Sequence, residues 1–357
     1  MKLLFIYQYL SIGGVESIIK NRIKYLPKSV KIDLLFLYKI ASIEIFKDLN
    51  INKIYIERNF KKIKNIIIDN KYDYIISIDT PQIHEVLDNI NKEQNLILEI
   101  HTGYYENREY IRKKIIPKKT KLIIVPSESF KRIIQIELNN SNIPIFVLPN
   151  CIDKIFFEEH KFKFSKILSK PILWVGRLDS LKNWSELLKI FKILIESIKN
   201  INFELVVVGG YKSNKVDIDN FKYSLEKYEL IDKIIWLPYV NYDYMPKLYK
   251  MVSHRDGFFI STSKSESFGM TVAESMASKC PIITSNIDAY IELLDEGKGG
   301  FIYKLGNIYD ALDKINILIN NNILKNEKVL YSYNKALKEF DPIKHTENWL
   351  NIITGNI

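Results

Sequence analysis

A chain of 357 residues, 47% of them apolar, is long enough for two domains with sizeable cores. No run approaches about 18 consecutive apolar residues, which argues against a spanning helix, and two cysteines, Cys151 and Cys280, provide neither a disulfide framework nor metal-ligand spacing. The net charge of +10 suits an anionic partner, a nucleoside diphosphate or an anionic membrane surface, but no zinc-finger, basic-zipper or RNP-like pattern points to nucleic acid.

In chain order, strand-like apolar runs alternate with amphipathic helical segments, the signature of an α/β architecture with parallel sheets. Met1–Ile6 lacks a small-residue cleavage site and runs straight into a Gly-Gly turn, so Lys2–Tyr7 reads as a first strand rather than a signal peptide. After Gly13-Gly14, the residues Val15, Ile18, Ile19, Ile23 and Leu26 mark one helical face. Further strands are expected over Lys31–Leu37, Tyr74–Ile78, Leu96–Ile100, Lys121–Val125 and Pro144–Leu148. A turn at Pro149–Asp153 and charged, irregular sequence up to Pro171 place a domain boundary near Asp153. A second set of strands is expected over Ile172–Val175, Phe203–Val208, Ile234–Leu237, Gly257–Ser261 and Pro281–Thr284. Asn320-Asn321-Asn322 reads as a short linker, and Asp341-Pro342 as a break before a closing helical segment. The run Arg112–Lys119, which includes Lys114, is the densest basic cluster and reads first as a solvated face.

Two carboxylates frame the most informative segment. Glu266 lies in a loop after the strand-like run Phe258–Thr262, and Glu274 lies in the first turns of the helix that Met270, Ala273, Met276 and Ala277 outline. If the span were wholly helical, eight steps would separate them by about 12 Å, roughly the reach of a sugar joined to a ribose through a diphosphate. Gly269 permits close backbone approach, and the amides of a helix start, around Phe268, Met270 and Thr271, suit a phosphate. Upstream, the strand Ile172–Val175 delivers Gly176-Arg177-Leu178 with Lys182-Asn183 following. Arg177 and Lys182 are two cations five residues apart at a strand's carboxyl end, where open α/β sheets bind ligands. They are suited to a diphosphate that no metal neutralises. The dinucleotide fingerprint G-x-G-x-x-G is absent, which argues against nicotinamide or flavin chemistry.

The E-x7-E segment resembles the donor-site signature of retaining glycosyltransferases of the GT-B fold, in particular glycosyltransferase family 4 (group 1). Gly176-Arg177-Leu178 with Lys182 resembles that family's G-R-L-x-x-x-K-G/N element, and Gly13-Gly14-Val15-Glu16 its G-G-x-E loop. His101-Thr102-Gly103 resembles the position of its active-site histidine, and Leu237–Val240 the place where it commonly lodges the base, near Val240. The resemblance implies two facing Rossmann-like domains with a donor/acceptor cleft between them: residues 1–153 on the acceptor side, with about 338–357 packing back onto them, and 154–337 on the donor side. It implies a metal-independent hexosyltransferase that takes a nucleoside diphosphate-sugar, UDP-linked, with no cofactor, and transfers the sugar with retention. The acceptor would be a glycan, lipid-linked or polyanionic, in bacterial cell-surface glycan synthesis. The implied location is cytoplasmic, with peripheral contact at the inner face of the membrane.

The implied roles are specific. Glu274 would bind the ribose; Glu266 and the backbone around Phe268–Thr271 the sugar and phosphate; Arg177 and Lys182 the leaving diphosphate; His101, Gly13 and Gly14 the sugar subsite. The pattern is departed from at Ser267, Cys151, Lys279-Cys280 and Asn286–Tyr290, none of which removes a charged donor contact. His84, His160, His254 and His345 have no ligand spacing and read as structural. Asp217-Ile218-Asp219, which resembles a metal-diphosphate pair of a different fold, reads as a solvated loop. A nucleotide-sugar epimerase of similar fold and a non-catalytic basic binding module remain as rivals.

Overall fold

The structure, a computed structural model, describes residues 1–11, 13–90, 95–113, 115–139, 141–159, 169–211 and 213–356. Lys114 and His160 lie outside the described residues. The chain divides into two compact units, Met1–Cys151 together with Phe340–Ile357, and Ile152–Glu339.

In the first unit the strands are β1 (Lys2–Leu10), β2 (Lys31–Lys39), β3 (Lys53–Ile56), β4 (Tyr74–Ile78), β5 (Asn95–Glu99), β6 (Thr120–Val125) and β7 (Ile145–Val147). Among the described residues they form one parallel sheet in the order β3-β2-β1-β4-β5-β6-β7. Its helices are α1 (Gly14–Tyr25), α2 (Phe60–Asn70), α3 (His84–Asp88), α4 (Glu109–Arg112) and α5 (Glu128–Leu138), with the closing helix from the chain's end. Strands covered on both faces read as continuous apolar runs, because alternate side chains enter two different cores. In β1, Leu4 and Ile6 join the core that Ile63, Ile67 and Ile134 complete, whereas Leu3 and Phe5 join the core of Ile19, Ile23 and Trp349.

The second unit holds β8 (Lys170–Val175), β9 (Phe203–Val208), β10 (Ile234–Leu237), β11 (Phe258–Ser261), β12 (Ile282–Ser285) and β13 (Phe301–Tyr303), all parallel in the order β10-β9-β8-β11-β12-β13. Its helices are α6 (Trp184–Ser197), α7 (Lys215–Lys227), α8 (Met245–His254), α9 (Met270–Ala277), α10 (Asp288–Leu293), α11 (Ile308–Asn320) and α12 (Asn322–Glu339). The chain then returns to the first unit as α13 (Pro342–Thr354), where Trp349 is fully buried and stacks on Phe5 with ring centroids 5.5 Å apart. Asp341 accepts hydrogen bonds from the Ile343 and Lys344 amides and Pro342 occupies the first turn, so the break before α13 is a capped helix start. Among the described residues no helix is long and apolar enough to cross a membrane.

Three local expectations are corrected. Strands β3 and β13, both short and at sheet edges, were not foreseen. Asp217-Ile218-Asp219 is not a loop but the start of α7, where Asn214 accepts from the Asp217 amide at 2.8 Å. Two positions apart on a helix, about 200° around its axis, the two carboxylates do not face each other. Asn320–Asn322 is not a linker either; it is a one-residue break between α11 and α12.

Candidate functional site

The order of the second sheet reverses beside β8, which is flanked by β9 and β11. Such switch points leave a crevice outside the strands' carboxyl ends. The loops leaving β8 and β11 are tied together there. Lys264 donates its amide to the Leu181 carbonyl at 2.8 Å, and Thr262 Oγ1 donates to the Lys182 and Asn183 carbonyls, each at 3.0 Å. Asp179 shapes the first loop: its Oδ1 accepts the Leu181 and Lys182 amides at 3.1 and 2.9 Å, and its Oδ2 lies 3.2 Å from Arg177 Nε. Gly209, at the end of β9, has φ +131°, and a Cβ there would fall 1.8 Å from the Gly176 carbonyl oxygen, so only glycine lets the two strand ends approach this closely.

This framework brings Lys182 and Glu266, 84 positions apart in sequence, into contact: Nζ lies 2.5 Å from Oε1. The same oxygen accepts from Ser263 Oγ at 2.8 Å and from the Tyr290 hydroxyl at 3.2 Å. Gly269 caps α9 with φ +103°, and a Cβ there would meet the Tyr290 ring at 2.6 Å. The span from Glu266 to Glu274 is therefore loop, glycine cap and then helix. Phe268 is buried, while Met270 and Thr271 are half-exposed at the helix start. Val272 and Ala273 make the first backbone bonds of α9, to the Gly269 carbonyl, so the Met270 and Thr271 amides precede the intrahelical ladder.

Glu274 is buried and does not touch Glu266; its Oε2 lies 3.2 Å from the Tyr249 hydroxyl. Burial pushes its carboxyl up to about 8, and the bond from Tyr249 offsets only part of that shift. Arg177 projects from the same loop as Lys182, with its side chain about half exposed. Val240 is half-buried in the loop after β10. That loop is joined to the one after β9 by the Tyr211 amide, which donates to the Pro238 carbonyl at 3.1 Å.

His101, Gly13 and Gly14 belong to the first unit, at the carboxyl ends of β5 and β1. Gly13 is fully extended and caps α1, and its carbonyl accepts from Ser17 Oγ at 3.0 Å. Glu16 turns back to the Ser11 hydroxyl. The His101 amide donates to both oxygens of Asp79, at 3.0 and 3.2 Å, and its ring Nε2 lies 3.2 Å from Glu99 Oε2. In the basic run, Arg112 lies over the Tyr105 ring and pairs with Glu137, and Lys113 pairs with Glu109, which fits a solvated face.

Sequence reasoning missed Asp179, Ser263, Tyr290 and Glu99. Each acts across a distance in sequence or within an irregular turn, where no period marks it. Gly209 carried a readable signal, a Gly-Gly pair directly after an apolar strand.

The model of the family described as "Glycosyl transferases group 1" matches residues 156–337. The chain is 27% identical over 217 residues to a probable sucrose-phosphate synthase of Thermosipho melanesiensis, an alignment covering 58% of this chain and 47% of the relative. It is 27% identical over 244 residues to the capsular polysaccharide biosynthesis glycosyltransferase CapM of Staphylococcus aureus, covering 65% of this chain and 61% of that one. The chain thus spans about half the length of these curated relatives. Among solved structures, Anabaena HepE in complex with UDP-glucose superposes with a TM-score of 0.84 over 99% of this chain and 100% of that one, at 16% identity. At that identity the likeness establishes the fold, GT-B, with its two Rossmann-like domains.

Proposed function

This chain belongs to the glycosyl transferases group 1 family, and we propose that within it the protein is a retaining, metal-independent enzyme of the family 4 type. It moves a sugar from a UDP-sugar to a hydroxyl of a cell-surface glycan or its lipid-linked precursor. The observation that carries this reading is the Lys182–Glu266 contact of 2.5 Å at the switch point of the second sheet. Support for the donor class comes from HepE, solved with UDP-glucose. Support for the acceptor class comes from CapM, named for capsular polysaccharide biosynthesis.

Breaking the anomeric C–O bond leaves negative charge on the departing diphosphate. Arg177 and Lys182 receive it, the role a metal ion fills in other transferases. Glu266 pairs with Lys182; an incoming diphosphate competes for that ammonium. Ser263 and Tyr290 keep Glu266 in place, so it can offer Oε2 to the sugar hydroxyls. The amides at the start of α9 face phosphate oxygens, and Glu274 accepts the ribose hydroxyls. His101 and the Gly13-Gly14 loop act on the donor sugar.

The test is release of UDP from a panel of UDP-sugars, offered with lipid-linked glycan acceptors in the presence of EDTA. Lys182→Ala should lower kcat by about 10²–10³ with the circular dichroism spectrum unchanged. Unchanged turnover in that variant removes the diphosphate assignment. Conversion of a donor to its isomer without acceptor would make the protein an epimerase instead.

A further inference from the structure

Glu99, the last residue of β5, is fully buried with its two oxygens engaged separately. Oε1 accepts from Arg22 Nη1 at 2.7 Å and from Trp349 Nε1 at 2.7 Å; Oε2 faces His101 Nε2 at 3.2 Å. Burial raises its carboxyl, but Arg22, His101 and Trp349 outweigh that and hold it at about 2. The other groups around the cluster are accounted for. His345 on α13 has Nδ1 2.8 Å from the Pro149 carbonyl and Nε2 3.4 Å from Arg22 Nη2. Burial and the Arg22 charge push it down to about 3. It is therefore neutral, donating from Nδ1 and accepting at Nε2. Asp79, the residue after the neighbouring strand β4, accepts the His101 backbone amide.

Guanidinium and indole N–H groups can only donate, and an ionised carboxylate can only accept. The nitrogen of His101 that faces Glu99 must then carry a hydrogen. We propose that Glu99 is a positioning residue that holds a hydrogen on His101 Nε2, so that the neutral form of the ring is the Nε2–H tautomer with Nδ1 as its acceptor. The hydrogen on Nε2 follows from the bonds around Glu99 alone; its consequence for turnover rests on the role proposed for His101.

Glu99→Gln should switch the tautomer. Arg22 and Trp349 both donate at the Oε1 position, so the amide oxygen must sit there, and the amide NH₂ must then face His101 Nε2. A donor in that place requires an acceptor ring nitrogen, and the tautomer must change to Nδ1–H. Long-range ¹H–¹⁵N spectra of histidine-labelled protein, recorded above the imidazole titration with His101→Ala to assign the signals, read this directly. The expected result is Nε2–H in the wild type and Nδ1–H in Glu99→Gln. For the enzyme, kcat should fall by about 10- to 100-fold, the effect of one misdirected hydrogen bond, with KM for the donor little changed. In a His101→Ala background Glu99→Gln should add nothing. An Nδ1–H ring in the wild type overturns the proposal, even if the variant fails to fold; so does an unchanged tautomer in a folded variant. A switched tautomer with unchanged turnover supports the lock by Glu99 and overturns the role assigned to His101.

Discussion

Glu274 offers a prediction that needs no knowledge of the substrate. Its carboxyl lies inside the second unit between α9 and α8, and burial raises it from an ordinary 4.5 to about 8. Between those two values the folded state holds a proton that the unfolded state has released. Stability is therefore fully present below about pH 4.5, falls as pH rises, and stops falling above about pH 8. The slope for one such group is about 1.4 kcal/mol per pH unit. Glutamine has the shape of the protonated acid and does not titrate. Glu274→Gln should match the wild type near the acid end of this window and become progressively more stable relative to it up to about pH 8, beyond which the difference is constant. For units of 150–250 residues 1 kcal/mol moves Tm by about 2–4 °C, so the two Tm curves should separate by about 3–6 °C per pH unit. Differential scanning calorimetry across the window measures this. Parallel curves would mean that Glu274 is ionised at its ordinary value, and the picture of a desolvated carboxyl waiting for a ligand would be wrong. A functional corollary follows: ribose hydroxyls that donate to Glu274 favour the carboxylate, so nucleotide binding near neutral pH should release a proton. Calorimetry in two buffers of unlike ionisation enthalpy detects it.

Gly269→Ala should cost more than about 2 kcal/mol, since a Cβ at φ +103° adds backbone strain to a 2.6 Å collision with the Tyr290 ring. Its loss of turnover should accompany the loss of Tm, whereas Tyr290→Phe, which removes a donor to Glu266 and a hydrogen-bond partner of Ser261 Oγ but no packing volume, should lower turnover with a smaller change in Tm. Trp349→Phe keeps most of the packing on Phe5 but strips one donor from the buried Glu99; a loss of about 1–3 kcal/mol in chemical denaturation is expected, and no loss would mean that Glu99 does not need the indole.

How much could be read from sequence depended on whether a feature repeats locally. The central strands were legible because burial on both faces forces unbroken apolar runs such as Leu3–Ile6 and Leu205–Val208. Edge strands β3 and β13 were not, although β7 and β10, also short strands at sheet edges, were. The charged residues of the second unit were legible through spacing after a strand: Arg177 and Lys182 after β8, Glu266 and Glu274 after β11. Their supports were not legible. Ser263 sits beside Glu266 in an irregular loop, Tyr290 reaches it from α10, and Asp179 folds the loop that carries Lys182. Nothing in a single sequence links those positions. The same holds for Glu99, whose meaning appears only when α1, β5 and α13 meet around it.

The central claim is that the second unit holds a UDP-sugar through side-chain cations. Its most direct test is isothermal titration of UDP into the wild type and into Lys182→Ala, with EDTA in both cells. The account predicts one UDP site per chain that survives EDTA and weakens by tenfold or more in the variant, the loss of about 1.4 kcal/mol or more expected for one charge-assisted contact. No UDP binding by folded wild-type protein, or binding equally tight in Lys182→Ala, would contradict it.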